Sequence, residues 1–260
     1  MKRTIALISL LGIAACSAST PKLPYPAYVA TDSLSDVFLA ELPGVRAKRF
    51  DFNAKLRTGS YRIDLPVAWT GSSGASPGLS IEIFVLAGRL TLGDDLVLDA
   101  GGYAFLPSGS LGFNLQTYDG ARILYAVNQT HPDSMIRTPL ILDSRLIDWE
   151  PTDVDGVSRK VLRSDPGSGA LTWLTRIAPG AELNWERSLA SRESYLVQGS
   201  LDYAECFEGA VVSDAYLPGG YVFRPADIAH GGPATVVRET AIWYSREQSA
   251  IGTSTLDDCR

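Results

Sequence analysis

The chain has 260 residues, 45% hydrophobic and 20% charged, which is the composition of a globular protein rather than of a disordered or membrane-spanning one. Its formal net charge of −6 argues against a nucleic-acid partner, because neutralising phosphates requires a basic face. The length allows one large domain or two small ones, and either buries a substantial core.

At the N-terminus, Lys2 and Arg3 precede an apolar run over residues 5–15 that ends at Cys16. The run is too short to span a bilayer and has the plan of a secretory signal peptide. Ile13-Ala14-Ala15-Cys16 looks like a lipobox, with small residues for the signal peptidase and a cysteine thiol that receives diacylglycerol. Residues 1–16 are therefore expected to be a lipoprotein signal peptide with its lipidated Cys16. Ser17, rather than Asp, follows the cysteine. In a Gram-negative cell this points to the periplasmic face of the outer membrane, with the lipid anchor as the sole membrane contact. Loss of the signal peptide leaves 21 Lys and Arg against 29 Asp and Glu, a net charge of −8. Residues 17–44, rich in Ser, Thr, Pro and Ala at their start, read as a tether and N-terminal arm.

The rest of the chain has short runs of Val, Ile, Leu, Tyr and Phe between Gly and Pro, with no sustained apolar period of 3.6, and reads as β. It also repeats itself. Glu82 to Gly88 is matched by Glu193 to Gly199, both six positions apart. Gly101-Gly102-Tyr103-Ala104-Phe105-Leu106-Pro107 is matched by Gly219-Gly220-Tyr221-Val222-Phe223-Arg224-Pro225, and five positions beyond each Pro stand Gly112 and His230. Each unit reads as a strand ending in a Gly turn, a hairpin, then a Gly-Gly turn feeding a strand that stops at Pro, which has no N–H for the ladder. The second copy is seven residues longer around Cys206 to Gly209, as expected of a longer hairpin. Such punctuation suits a jelly-roll barrel in each half: residues 45–130 and 151–247, joined by a linker at 131–150 and followed by a tail at 248–260.

The paired segments, Pro-Gly-x5-Glu with Glu-x5-Gly and then Gly-x4-Pro-x4-His, resemble the two motifs of cupins, and the duplication resembles a bicupin. Tyr221, Arg224, Pro225, His230 and Gly231 match the ending of uncharacterised ChrR-like bicupins, and the first half around residues 98–111 is similar to ureidoglycine aminohydrolase, a manganese bicupin. The resemblance covers roughly residues 45–247 and implies an all-β fold of two tandem cupin barrels. It also implies a place for a divalent metal, held in typical cupins by three His and one Glu. This chain has two His, so a three-His site is excluded within it.

By that resemblance, the second barrel offers Glu186 and Ser188 at the positions of the usual His pair, then Glu193, with His230 closing the set. Glu186, Glu193 and His230 form a candidate triad for Mn, Fe or Zn, with His230 and Glu193 as the catalytic candidates and His230 able to act as general acid or base near neutral pH. The alternative is that no metal binds, the carboxylates being engaged by Arg187, Arg192 or Arg224. Register decides between them: the usual metal Glu sits seven residues before the Gly, where this chain has Arg192. A one-residue shift turns a side chain to the opposite face unless a bulge intervenes. If Arg192 lines the interior, the pocket takes an anion.

In the first barrel Gly112 replaces His230 and Glu82 is the remaining ligand type, so this half is expected to be structural or dimerising, which leaves a homodimer open. His131 is expected in an exposed loop. Trp173, Trp185, Tyr195, Tyr203 and Tyr221 are candidates to line a ligand cavity or fill a core. Once Cys16 is lipidated, Cys206 and Cys259 remain as a disulfide pair or as two free thiols. No hydrolase elbow, P-loop, dinucleotide fingerprint or Cys-x-x-Cys pair is present. Two functions follow: an exported lipoprotein binding a small polar or anionic molecule among Glu186, Ser188, Tyr195, Arg224 and His230, or a divalent-metal enzyme acting on a small organic acid or amide. An inert envelope protein is the third.

Overall fold

The computed structural model describes residues 23–110, 112–249 and 253–259. Cys16 and the rest of the expected signal peptide lie outside the described residues. Within them the regular structure is strands and two 3-10 turns, and no helix is long and apolar enough to cross a membrane.

Each half is a jelly roll of facing antiparallel sheets that do not close into a continuous barrel. In the second half one sheet runs Gly220–Arg224, Arg192–Gln198, Ala241–Glu247, Leu171–Ile177, Val157–Ser164 and Glu150–Pro151. The sheet across from it runs Ala210–Tyr216, Leu201–Phe207, Ala229–Gly231, Trp185–Ser188 and Thr253–Leu256. The longer hairpin of this half is Leu201–Phe207 with Ala210–Tyr216, turning at Glu208 and Gly209, both of positive φ.

The repeated glycines have a common reason. Gly88 and Gly199 both sit at positive φ, 76° and 80°. A Cβ at either would collide with the backbone carbonyl of the returning strand, that of Gly120 or of Thr240, so only Gly permits both the turn and the approach.

The segments outside the two expected units are built into them. Val29–Ala30 pairs with Gly220–Tyr221 and extends the sheet of the second half, while Asp36–Leu39 joins the first. Within the described residues the N-terminal arm is thus docked on both halves from Tyr25 onward. The linker strand Leu140–Asp143 pairs with Gly102–Phe105 of the first half. The tail strand Thr253–Leu256 pairs with Trp185–Ser188, and Cys259 is joined to Cys206 by a disulfide with Cα atoms 5.3 Å apart.

The core of the first half is hydrocarbon, including Ile63, Ile81, Ile83, Val85, Leu90, Leu92, Leu106, Leu115 and Ile123, with a recess of about 260 Å³ beside Tyr61, Ile81 and Tyr125. A second core lies between the halves, where Phe50 stacks on Tyr221 at 4.2 Å and Phe84 on Tyr244 at 5.0 Å between ring centres. Glu82 is buried in this seam. It accepts hydrogen bonds from the Tyr103 hydroxyl at 2.6 Å and from Thr172, and lies near Arg163 and Arg246. Burial alone would raise its pKa, but the two guanidinium groups hold it below the usual carboxylate value. Glu82 is a structural carboxylate of the contact between the halves.

Candidate functional site

Register places the sequence candidates. The Arg192–Gln198 strand pairs regularly with both neighbours from Arg192 to Tyr195, and its irregularity comes later, between Leu196 and Gln198. No bulge rescues Glu193. Alternation therefore sends Arg192, Ser194 and Leu196 into the second half and Glu193, Tyr195 and Val197 to the seam. Glu193 bonds Arg246 at 2.9 Å there, and Tyr195 packs against Phe50. Neither contributes to the interior, so the expected ligand roles of Glu193 and Tyr195 are corrected. Tyr221 also lies in the seam, and Trp185 lies with Cys259 under the C-terminal tail; of the five aromatic candidates, Trp173 and Tyr203 line the cavity.

The interior of the second half holds a cavity of about 430 Å³. On one wall Glu186, His230 and Glu205 are direct cross-strand neighbours on three adjacent strands. On the other, Arg224, Arg192 and Glu247 form the matching row. Directly opposed residues share a face, so two charged rows confront each other. Arg224 makes a two-pronged ion pair with Glu205, whose carboxylate also accepts from Tyr216 and Tyr25. Arg192 donates from Nε to Glu247 at 2.8 Å and from Nη1 to His230 Nε2 at 3.2 Å. Ser188 is spent on the same Glu247 oxygen at 2.9 Å, a supporting position rather than the expected ligand contact.

His230 is wholly buried. Its Nδ1 lies 3.0 Å from the Ile228 carbonyl oxygen, which can only accept, so Nδ1 carries the proton and Nε2 accepts from Arg192. Burial, and then the charges of Arg224 and Arg192, push its pKa well below the usual value. The ring is neutral, with both nitrogens engaged.

This arrangement does not fit the metal expected from the resemblance. No group of three His, Cys, Asp or Glu side chains is placed to hold a metal among the described residues. The Nε2 lone pair that a metal would take is occupied by Arg192, and a divalent ion there would face two guanidinium charges. Arg192 supplies a fixed cation in that place.

A third row, Arg159, Thr175 and Trp243, runs across adjacent strands on the same wall as Arg192. Arg159 and Arg192 both stack against Trp173, at 5.3 and 5.1 Å. Burial lowers the pKa of Arg159, opposed by the carboxylate of Glu186. Sequence reasoning missed Arg159, Glu205, Trp243 and Glu247; Arg159 and Trp243 lie outside the repeated motifs, and the two Glu became recognisable only as partners of Arg224 and Arg192. His131 lies in an exposed turn between the halves.

Comparison with known proteins agrees with this architecture. A family model described as a domain of unknown function, DUF4437, matches residues 53–252. No curated protein matches the chain. Solved cupin-fold structures superpose over most of it. A proposed dioxygenase from Nostoc punctiforme covers 88% of this chain and 86% of its own at 17% identity and a TM-score of 0.68. Ylba from E. coli, of family-model DUF861, covers 85% and 89% at 16% identity and 0.69. Bacillus subtilis oxalate decarboxylase, whose structure concerns its Mn(II) centres, covers 91% and 81% at 11% identity and 0.63. At such identities these structures share the fold, and each chain's site has to be read from its own residues.

Proposed function

We propose, from the premise that the chain belongs to the DUF4437 family of unknown function, that its second cupin jelly roll binds a small polar organic ligand. In this reading the protein is an exported lipoprotein, held at the cell envelope through Cys16. The lipobox supports the anchoring, and a disulfide between Cys206 and Cys259 suits an oxidising compartment. The observation that carries the binding role is the contrast between the halves: the first has a hydrocarbon interior with a recess of about 260 Å³ beside Tyr61, Ile81 and Tyr125, while the corresponding interior of the second is a larger cavity walled by Arg159, Arg192, Arg224, Glu186 and His230. A space of 430 Å³ with aromatic walls and convergent polar groups has the size and character of a small-molecule site.

Calorimetric titration of the mature chain with small carboxylic acids, amides, amines and amino acids tests this. At least one compound should bind with one-to-one stoichiometry, and Arg159→Ala should weaken it by roughly tenfold or more, the scale of a lost charged hydrogen bond. Failure of every compound, or indifference to Arg159→Ala, would count against the reading.

The rival is a divalent-metal enzyme acting on a small organic acid or amide. In its favour, Glu186 and His230 are adjacent on the cavity wall, and a structural neighbour is studied for its Mn(II) centres. Against it stands Arg192, whose guanidinium takes the imidazole lone pair.

A further inference from the structure

We infer, resting on the ligand-binding reading above, that the ligand is a zwitterion: a small molecule with a carboxylate or similar anion at one point and an ammonium group at another, as in an amino acid.

Most charges of the cavity interior are already paired. Arg224 is cancelled by Glu205 and Arg192 by Glu247, each pair buried and hydrogen-bonded. His230 is neutral, with both nitrogens spent. Ser194 and Ser245 are bonded to each other at 2.9 Å. Two charged groups of the interior remain. Arg159 has no ion pair among the described residues, and its Nε has no hydrogen-bond partner. Glu186 makes neither hydrogen bond nor ion pair among the described residues, although it lines the same cavity. The two influence each other electrostatically without touching, so a gap separates a free cation from a free anion.

One more buried donor is unspent. The Trp243 side chain lines the cavity at 7% exposure, and its indole N–H has no partner. It flanks Thr175 on one side as Arg159 does on the other. The Arg159 guanidinium supplies donors to an anion, with the Trp243 ring beside it on the wall, and Glu186 supplies acceptors to an ammonium group. A plain anion would leave Glu186 uncompensated and would pass Glu150 and Asp153, exposed acids of the lining. A plain cation would engage Glu186 and the exposed acids but would leave the Arg159 donors unspent. Only a molecule of both signs satisfies both groups.

The test titrates the mature chain with each L-amino acid and with ω-amino acids of three to six carbons, each beside its deaminated acid and its decarboxylated amine. At least one amino acid should bind about tenfold or more tightly than both of its counterparts, the scale of a lost charge-assisted hydrogen bond. Glu186→Gln should shrink the preference over the acid to roughly threefold or less. Acids binding as tightly as their amino acids would overturn the zwitterion while leaving the cavity reading in place, and so would a preference that survives Glu186→Gln in a variant whose melting shows it folded. Should that variant fail to fold, the wild-type comparison of amino acid with acid still decides. No binding by any compound would overturn both inferences.

Discussion

The two jelly rolls share a fold and a repeat but differ inside. Arg224, Arg192 and Glu247 of the second correspond in register to Leu106, Ile81 and Val127 of the first. What the copies share faces elsewhere: Glu82 and Glu193, Tyr103 and Tyr221, and Phe105 and Phe223 all lie in the seam between the halves. Arg246 reaches both repeated Glu residues, at 3.6 and 2.9 Å. Similarity between the copies thus reports how they hold each other, and divergence reports where one of them keeps a cavity with charged walls.

Exchanging interiors should break the comparison most severely. Ile81→Arg puts a cation on a hydrocarbon wall where the acid of the same recess, Glu41, is exposed rather than buried as Glu247 is beside Arg192, and we expect no folded protein or a loss above about 5 kcal/mol. The reverse change, Arg192→Ile, leaves Glu247 buried without its cation and should cost about 3–5 kcal/mol in urea denaturation. Adding Glu247→Val to it installs the first half's own pair and should recover most of that loss. A cavity-forming change in the hydrocarbon core of the first half, Ile83→Ala, should cost about 2–5 kcal/mol and leave ligand affinity unchanged. Replacing Cys206 and Cys259 by Ala opens a loop of 53 residues and should cost about 2–4 kcal/mol.

The smallest effect is a dependence on pH confined to the second half. The folded pKa of His230 is depressed below its unfolded value near 6.5. Above that value both states are neutral and nothing is lost. As pH falls below it the unfolded chain gains a proton that the folded ring refuses, so stability declines. Denaturation free energies between pH 4.5 and 8 should show this slope, and His230→Gln should flatten it.

The fold was legible because its signals are local: Gly turns, Pro stops and a repeat that fixes strand spacing. The site was half legible. Glu186 was found because the first motif of the second half carries it, and Arg224 and His230 because the second does. Glu193 was misplaced because a residue that faces a neighbouring unit obeys the same alternation as one that faces a cavity, and the seam between the halves leaves no period of its own. The choice between Glu193 and Arg192 was visible in the seven-residue spacing to Gly199, and register settles it for Arg192. Arg159 and Trp243 carry no motif; they join the site through pairing with the Leu171–Ile177 strand. The docking of the arm and tail depends on edges that exist only once the sheets have formed.

The central claim is that the Arg192 guanidinium in the second half occupies the His230 nitrogen that a metal would need. Titration of the purified protein with Mn(II), Fe(II) and Zn(II), followed by elemental analysis after dialysis, tests it most directly. We predict no stoichiometric metal in the wild type and no change on His230→Ala. One equivalent of metal in the wild type that is lost with His230→Ala would contradict the account.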